Sequence, residues 1–134
     1  MNIVVVPTYN EKDNIAALFV EVWRHSPLVH ILVVDDNSPD GTAAVVKGLQ
    51  EQNATRLHLL ERPGKQGLGA AYVAGFKWAL EKGYANIIEM DADFSHDPKY
   101  LPALLAGLER SDIVVGSRYI NGGGWRTGIY SVSS

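Results

Sequence analysis

Apolar residues in this chain come in short, unbroken runs, and each run is followed by a stretch in which apolar residues recur three and four positions apart. Residues 2–6 form a β-branched run closed by Pro7. The lack of alternation predicts a strand buried on both faces. Ile15, Leu18, Phe19 and Val22 then mark one helical face, and Asn10 and Asp13 are suited to the helix start. Residues 31–34 predict a second buried strand. Ser38 and Pro39 suit the start of a second helix, reaching about Gln52. Residues 57–60 predict a third strand. A glycine-rich loop, residues 62–69, precedes a helix over residues 70–82, with Gly83 placed to end it. Residues 87–90 predict a fourth strand, followed by Asp97-Pro98 and a helix carrying Leu101, Leu104, Leu105 and Leu108. Residues 112–116 predict a fifth strand, and residues 125–134 show no period and are expected to be irregular.

The order βαβαβαβαβ predicts an α/β fold: one mainly parallel sheet with helices on both faces, in a single domain over residues 1–134. In such a sheet every strand ends at the same edge, where open α/β sheets bind ligands. The ends are chemically rich: Pro7, Tyr9 and Glu11 after the first strand, Asp35 and Asp36 after the second, Asp91 and Asp93 after the fourth, and Arg118 after the fifth. Asp91 and Asp93 stand two apart, so an extended chain sends both to one side. Two such carboxylates repel unless a counter-charge lies between them, and a hard divalent cation is the usual solution.

Each of these residues also has a plainer reading. Asp36 either bonds a base or ribose or caps a helix. Tyr9 either stacks on a base or is a partly buried loop aromatic. Arg118 either holds phosphate oxygens or forms a surface ion pair. The glycines at 64, 67 and 69 either bring backbone N–H groups to a phosphate or make turns, since neither the phosphate-loop nor the dinucleotide pattern is complete.

Composition narrows the field. The chain has 134 residues, 46% of them hydrophobic and 20% charged, enough for one core. A net charge of −3 speaks against nucleic acid as a partner. No cysteine is present, which removes disulfides, zinc–thiolate sites and cysteine nucleophiles. The four histidines lack metal-ligand spacing, and there is no Gly-x-Ser-x-Gly elbow. No leader pattern opens the chain, and no apolar run nears the ~20 residues that span a bilayer, so any membrane contact is expected to be peripheral or to come from another chain or a missing segment. An Asp pair after a buried strand also occurs in phosphoacceptor receiver domains. There the pair follows the first strand and a Lys follows the last, neither of which holds here.

Five blocks in order carry a resemblance. They are Val5-Val6-Pro7-Thr8-Tyr9-Asn10-Glu11, Val33-Val34-Asp35-Asp36-Asn37-Ser38-Pro39-Asp40-Gly41-Thr42, Gly67-Leu68-Gly69 with Ala74-Gly75-Phe76, Glu89-Met90-Asp91-Ala92-Asp93-Phe94-Ser95-His96-Asp97-Pro98, and Gly116-Ser117-Arg118-Tyr119. Together they resemble family 2 glycosyltransferases, most closely the polyprenol-phosphate mannosyltransferases of the dolichol-phosphate mannose synthase type. The resemblance implies a GT-A (Rossmann-like) three-layer sandwich. It also implies inverting transfer of mannose from GDP-mannose to a polyprenyl phosphate at the cytoplasmic face of a membrane. Glucose transfer from UDP-glucose is the alternative.

By the same resemblance, Pro7, Tyr9, Glu11, Val34 and Asp36 cradle the nucleoside. Asp91, Ala92 and Asp93 contact the donor, with Asp91 and Asp93 around Mg²⁺ or Mn²⁺, and Arg118 meets the donor phosphates. Asp91, Asp93 and Arg118 are the implied catalytic set. Similar enzymes continue well past the glycine run at residues 122–124. This chain is therefore expected to be C-terminally short, and a donor-binding domain without turnover is a further alternative.

Overall fold

The computed structural model describes residues 1–92, 98–103, 117–120, 124–127 and 129–131. Its elements are β1 (Asn2–Thr8), α1 (Ile15–His25), β2 (His30–Asp35), α2 (Thr42–Gln50), β3 (Leu57–Glu61), α3 (Leu68–Glu81), β4 (Asn86–Glu89), a 3₁₀ turn at Pro98–Tyr100, β5 (Ser117–Ile120), β6 (Gly124–Thr127) and β7 (Ile129–Ser131). The main sheet has the order β3-β2-β1-β4-β7. The first four strands are parallel, and β7 lies antiparallel on β4. The mainly parallel sheet follows from the pattern of buried runs and amphipathic helices.

The period of two along each strand divides the core. Val4, Val6, Ile31, Val33 and Ile88 point to one face, against Ile15, Leu18, Phe19 and Val22 of α1 and Val46 of α2. Ile3, Val5, Leu32, Val34 and Ile87 point to the other, against Ala71 and Ala79 of α3. With both faces covered, all of these strand residues are buried. That is why the strands read as continuous apolar runs. Gly75 lets α3 settle closely on the sheet. A Cβ there would lie 2.5 Å from Val5 Cγ1 and 3.0 Å from Val34 Cγ2.

The strand order places a topological switch at β1. The crossovers through α1 and α2 lie on one face, and the crossover through α3 lies on the other. The C-terminal ends of β1 and β4 therefore part around a crevice.

Four local expectations need correction. Asn10 does not cap α1, which starts at Ile15. Asn10 takes φ 58° and turns toward the β2–α2 loop, where its Oδ1 accepts the Asp40 N–H at 3.4 Å. Bonding between loops outweighs the local cap. Likewise Pro39 does not open α2, which starts at Thr42. Asp40 Oδ1 accepts from the N–H and the hydroxyl of Thr42, at 3.0 and 2.5 Å, and ends the turn there.

The irregular C-terminus contains strands. Gly124–Thr127 pairs antiparallel with Ser117–Ile120 in a separate two-stranded sheet, and Ile129–Ser131 joins β4. A glycine-rich stretch between two β-prone runs is a hairpin signal, and three residues are too few to show a period. Arg118 thus lies within a strand, opposite Arg126, and not in a turn beyond one. The fifth strand expected at residues 112–116, and Leu104, Leu105 and Leu108, lie outside the described residues. Leu101 is buried in the core.

Candidate functional site

A cleft of about 250 Å³ opens at the C-terminal edge of the sheet, at the switch point. Its walls come from four places in the chain. Pro7, Thr8, Tyr9 and Glu11 follow β1, and Asp36 follows β2. Lys65, Gly67, Leu68 and Ala71 belong to the glycine-rich loop and the start of α3, and Asp91 and Ala92 follow β4.

The β1–α1 and β2–α2 loops are bonded to each other through side-chain oxygens, that of Asp35 buried. Asp35 accepts at Oδ1 from the hydroxyls of Thr8 (2.7 Å) and Ser38 (2.6 Å), and at Oδ2 from the Ser38 N–H (3.0 Å). The Asn10 N–H donates to Ser38 Oγ at 2.9 Å, the Glu11 N–H to Thr42 Oγ1 at 3.1 Å, and the Lys12 N–H to Asp40 Oδ2 at 3.1 Å. Short side-chain acceptors bonding backbone N–H groups are the chemistry of Asx and Ser/Thr turns, here used between loops. The result fixes the backbone on either side of Tyr9 and ahead of Glu11.

Asp36 stands on the cleft wall, 5% exposed, with Arg62 behind it: Arg62 Nε lies 3.2 Å from Asp36 Oδ1. Tyr9 is 37% exposed, and Lys65 Nζ sits 4.6 Å from its ring centroid, a cation–π contact. On the opposite wall, Asp91 is buried and its Oδ1 accepts from the Tyr72 hydroxyl at 2.6 Å. Burial, and then the charge of Asp91, push the Glu89 carboxyl up to about 7. A second negative charge is therefore disfavoured at the end of β4.

Of the residues anticipated from the sequence, Pro7, Tyr9, Glu11, Asp36, Asp91 and Ala92 are brought together in the cleft. Val34 is not among the lining residues. Its side chain is fully buried beneath α3, next to Gly75. Asp93 and the Arg118 side chain lie outside the description. Thr8, Arg62, Lys65 and Tyr72 were not singled out by sequence. Lys65 carried a signal, as one of two cations in a glycine-rich loop before a helix. Tyr72 carried none, since an aromatic on a helix that faces the core is ordinary.

An oxygen-only donor such as the cleft-lining Asp91 fits a hard divalent cation. Among the described residues no group of three or more His, Asp or Glu could hold a metal unaided. Ligand oxygens would have to complete the shell.

Fold and site define an open α/β domain with an acidic cleft at its switch point, walled on one side by an aromatic ring and a buried carboxylate. The chain belongs to the glycosyl transferase family 2, whose sequence model matches residues 3–131. It is 48% identical over 122 residues to the polyprenol monophosphomannose synthase of Mycolicibacterium smegmatis, covering 90% of this chain and 46% of the relative. It is 44% identical over 119 residues to the undecaprenyl-phosphate mannosyltransferase of Micrococcus luteus, covering 89% and 49%. The chain spans about half the length of these curated relatives.

Among solved structures it resembles a mannosyltransferase of Pyrobaculum calidifontis in complex with GDP-Man and Mn²⁺. The TM-score is 0.58 at 28% identity, over 69% of this chain and 27% of the other. S. aureus TarS with UDP-GlcNAc shares the fold, with TM-score 0.67 at 22% identity over 92% and 36%. The fold is that of the GT-A glycosyltransferases.

Proposed function

We propose that the cleft binds a nucleotide sugar and that the protein built on this domain transfers mannose from GDP-mannose to a polyprenyl phosphate. The observation that carries the reading is the juxtaposition of Tyr9 and Asp36 on one wall with Asp91 on the other, at the crevice between β1 and β4. The names of the relatives and the GDP-Man of the Pyrobaculum structure favour mannose over the UDP-glucose alternative.

The division of labour follows from the walls. Tyr9 offers a ring face to the base, and Asp36 offers a carboxylate to its N–H edge. Pro7 and Glu11 bound the nucleoside on the same side. Asp91 and Asp93 would hold Mg²⁺ or Mn²⁺, which when bound neutralises charge on the donor's phosphates. Arg118 is assigned to those phosphates as well. The donor is thus held with its sugar toward the open end of the cleft. A phosphate oxygen of the acceptor forms a bond to the anomeric carbon from the face opposite the leaving group, and the bond from that carbon to the GDP oxygen breaks with its electron pair. The outcome is inversion. An acceptor phosphate is largely ionised at neutral pH, since its second pKa is about 6, so no general base is required.

The lipid acceptor places the reaction at a membrane surface, and we assign it to the cytoplasmic face with peripheral contact. No helix among the described residues is long and apolar enough to cross a membrane. The deciding experiment supplies a short polyprenyl phosphate with labelled GDP-mannose or UDP-glucose. Label from GDP-mannose in the lipid fraction is expected, and label from UDP-glucose alone overturns the assignment. A second reading, for the 134 residues taken alone, is a domain that binds donor without turnover. Calorimetric GDP binding without lipid labelling would establish it.

A further inference from the structure

We propose that Arg62 is a positioning residue for base recognition: it stands behind Asp36 and aims that carboxylate into the cleft without touching the nucleotide itself. The inference rests on the reading of the cleft as a nucleotide site.

Arg62 follows β3 directly, and its backbone N–H donates to Asp35 O at 2.8 Å, which carries the β2–β3 ladder one step further. Its Cα is therefore fixed relative to the end of β2, where Asp36 begins the loop. The two side chains are 8% and 6% exposed. Nε lies 3.2 Å from Asp36 Oδ1, and Nη2 donates to Gln66 Oε1 at 2.7 Å. The Gln66 N–H in turn reaches Asp36 Oδ2 at 3.4 Å. Arginine, glutamine and aspartate close a triangle. Only the aspartate lines the cleft.

Stability alone is a poor reason for this arrangement. Removing two charges from water costs about what their attraction returns, and apolar side chains of similar volume commonly serve a core as well. The pairing is also incomplete. Asp36 Oδ1 and Arg62 Nη1 are both buried without a hydrogen-bond partner among the described residues, so the 3.2 Å contact is a charge contact and not an aligned hydrogen bond. A device for stability would be expected to satisfy both atoms. What the geometry does provide is a cleft-lining carboxylate held from behind: Oδ1 is buried against Arg62, and Oδ2 accepts only the long Gln66 N–H bond, which leaves it accepting capacity. The N–H edge of a nucleobase presents the donors that such an acceptor lacks. The charged groups around it are Arg62 behind, Glu11 and Lys65 in the cleft lining, and Asp91 on the opposite wall.

The test is a double-mutant cycle read by calorimetric titration of GDP into the folded chain, with thermal melting to establish that each variant is folded. Arg62→Met is expected to weaken GDP binding about tenfold. In an Asp36→Asn background the same change is expected to cost less than about twofold, because the residue through which it acts is already disabled. Arg62→Lys, which keeps the charge but not the fork, is expected to recover part of the loss. Should Arg62→Met fail to fold, Arg62→Gln takes its place in the cycle. Unchanged GDP affinity in a folded Arg62 variant overturns the proposal, and so does an equal loss in both backgrounds. No GDP binding by the unsubstituted chain is a different failure, because it overturns the nucleotide reading on which this one stands.

Discussion

Tyr72 and Asp91 meet in a 2.6 Å hydrogen bond that ties the first turns of α3 to the chain leaving β4. A hydroxyl donating to a carboxylate is stronger than a neutral pair. Tyr72→Phe keeps the ring and removes the donor. It is expected to lower stability by about 1.5–3 kcal/mol, the scale for a bond to a charged group. It is also expected to weaken Mn²⁺ binding in the presence of GDP by a few-fold, because Asp91 loses a fixed orientation. Urea denaturation and a Mn²⁺ titration check the two parts, and an unchanged denaturation midpoint would show the bond to be of no consequence.

Gly75 marks where helix and sheet come closest. Alanine is the better helix former by about 1 kcal/mol. Its Cβ, however, would lie 2.5 Å from Val5 Cγ1 and 3.0 Å from Val34 Cγ2, both on buried side chains of central strands. Overpacking of this kind costs about 1–3 kcal/mol. Gly75→Ala is therefore expected to be net destabilising, by about 1 kcal/mol or more. A higher melting temperature for the variant would mean that α3 can shift outward freely.

A cluster at the far end of the sheet from the cleft is expected to contribute less stability on mild acidification, opposing Glu89, whose carboxyl, raised to about 7, binds a proton more readily in the folded chain and contributes more. The Tyr84 hydroxyl lies 2.6 Å from His30 Nδ1 and 3.2 Å from His58 Nε2. One hydroxyl proton can serve only one ring nitrogen, so the other ring must donate to the tyrosine oxygen. Burial lowers both histidines below their usual 6.5. The N-terminal ammonium and Arg56 add to this at His30, as do His30 and Lys82 at His58. Groups with depressed values bind protons more readily when unfolded. Their contribution is thus fully present above pH 6.5 and declines as pH falls from there through the folded-state values. Between urea midpoints at about pH 7.5 and about pH 5.5, His58→Gln should move the difference toward relatively greater stability at the lower pH. An identical gap in the variant would place the acid sensitivity elsewhere.

The metal prediction concerns Asp93. A site of one or two carboxylates should hold Mg²⁺ or Mn²⁺ weakly alone and tightly with a diphosphate, because these ions complete their shells with substrate oxygens. Asp93→Asn keeps the shape and removes one charge. It is expected to loosen the coupled binding while leaving stability unchanged or raised, since like-charge repulsion is relieved. The measurement is a Mn²⁺ titration with and without GDP, for the unsubstituted chain and the variant. Equal affinity in all four titrations would remove the acidic pair from the metal site.

The parts of this fold that were legible in the sequence were those governed by burial. Val4, Val33 and Ile88 had to be apolar on both sides of their strands, and that need shows as unbroken runs. Where the chemistry of one residue is answered by another far along the chain, reading failed. Asn10 reads as a helix cap until Ser38 and Asp40 are brought beside it. Arg62 reads as one more polar residue of a glycine-rich loop until Asp36 stands next to it. Tyr9, Asp36 and Asp91 were found because strand ends share an edge, a rule of topology. Tyr72 and Lys65 were missed because their roles depend on which way a loop and a helix turn, and no spacing encodes that.

The bonds among Thr8, Asn10, Glu11 and Lys12 on one side and Asp35, Ser38, Asp40 and Thr42 on the other have a consequence for how a ligand enters. Two crossovers of the chain are welded into a single jaw carrying Tyr9, Glu11 and Asp36. The conformational entropy of that jaw is surrendered when the domain folds, so an arriving nucleotide need not order it again. For the proposed base contact to form, what must yield is the side chain of Lys65, whose ammonium lies over the Tyr9 ring. Entry is then an exchange of one partner of an aromatic face for another, against a wall that stands still.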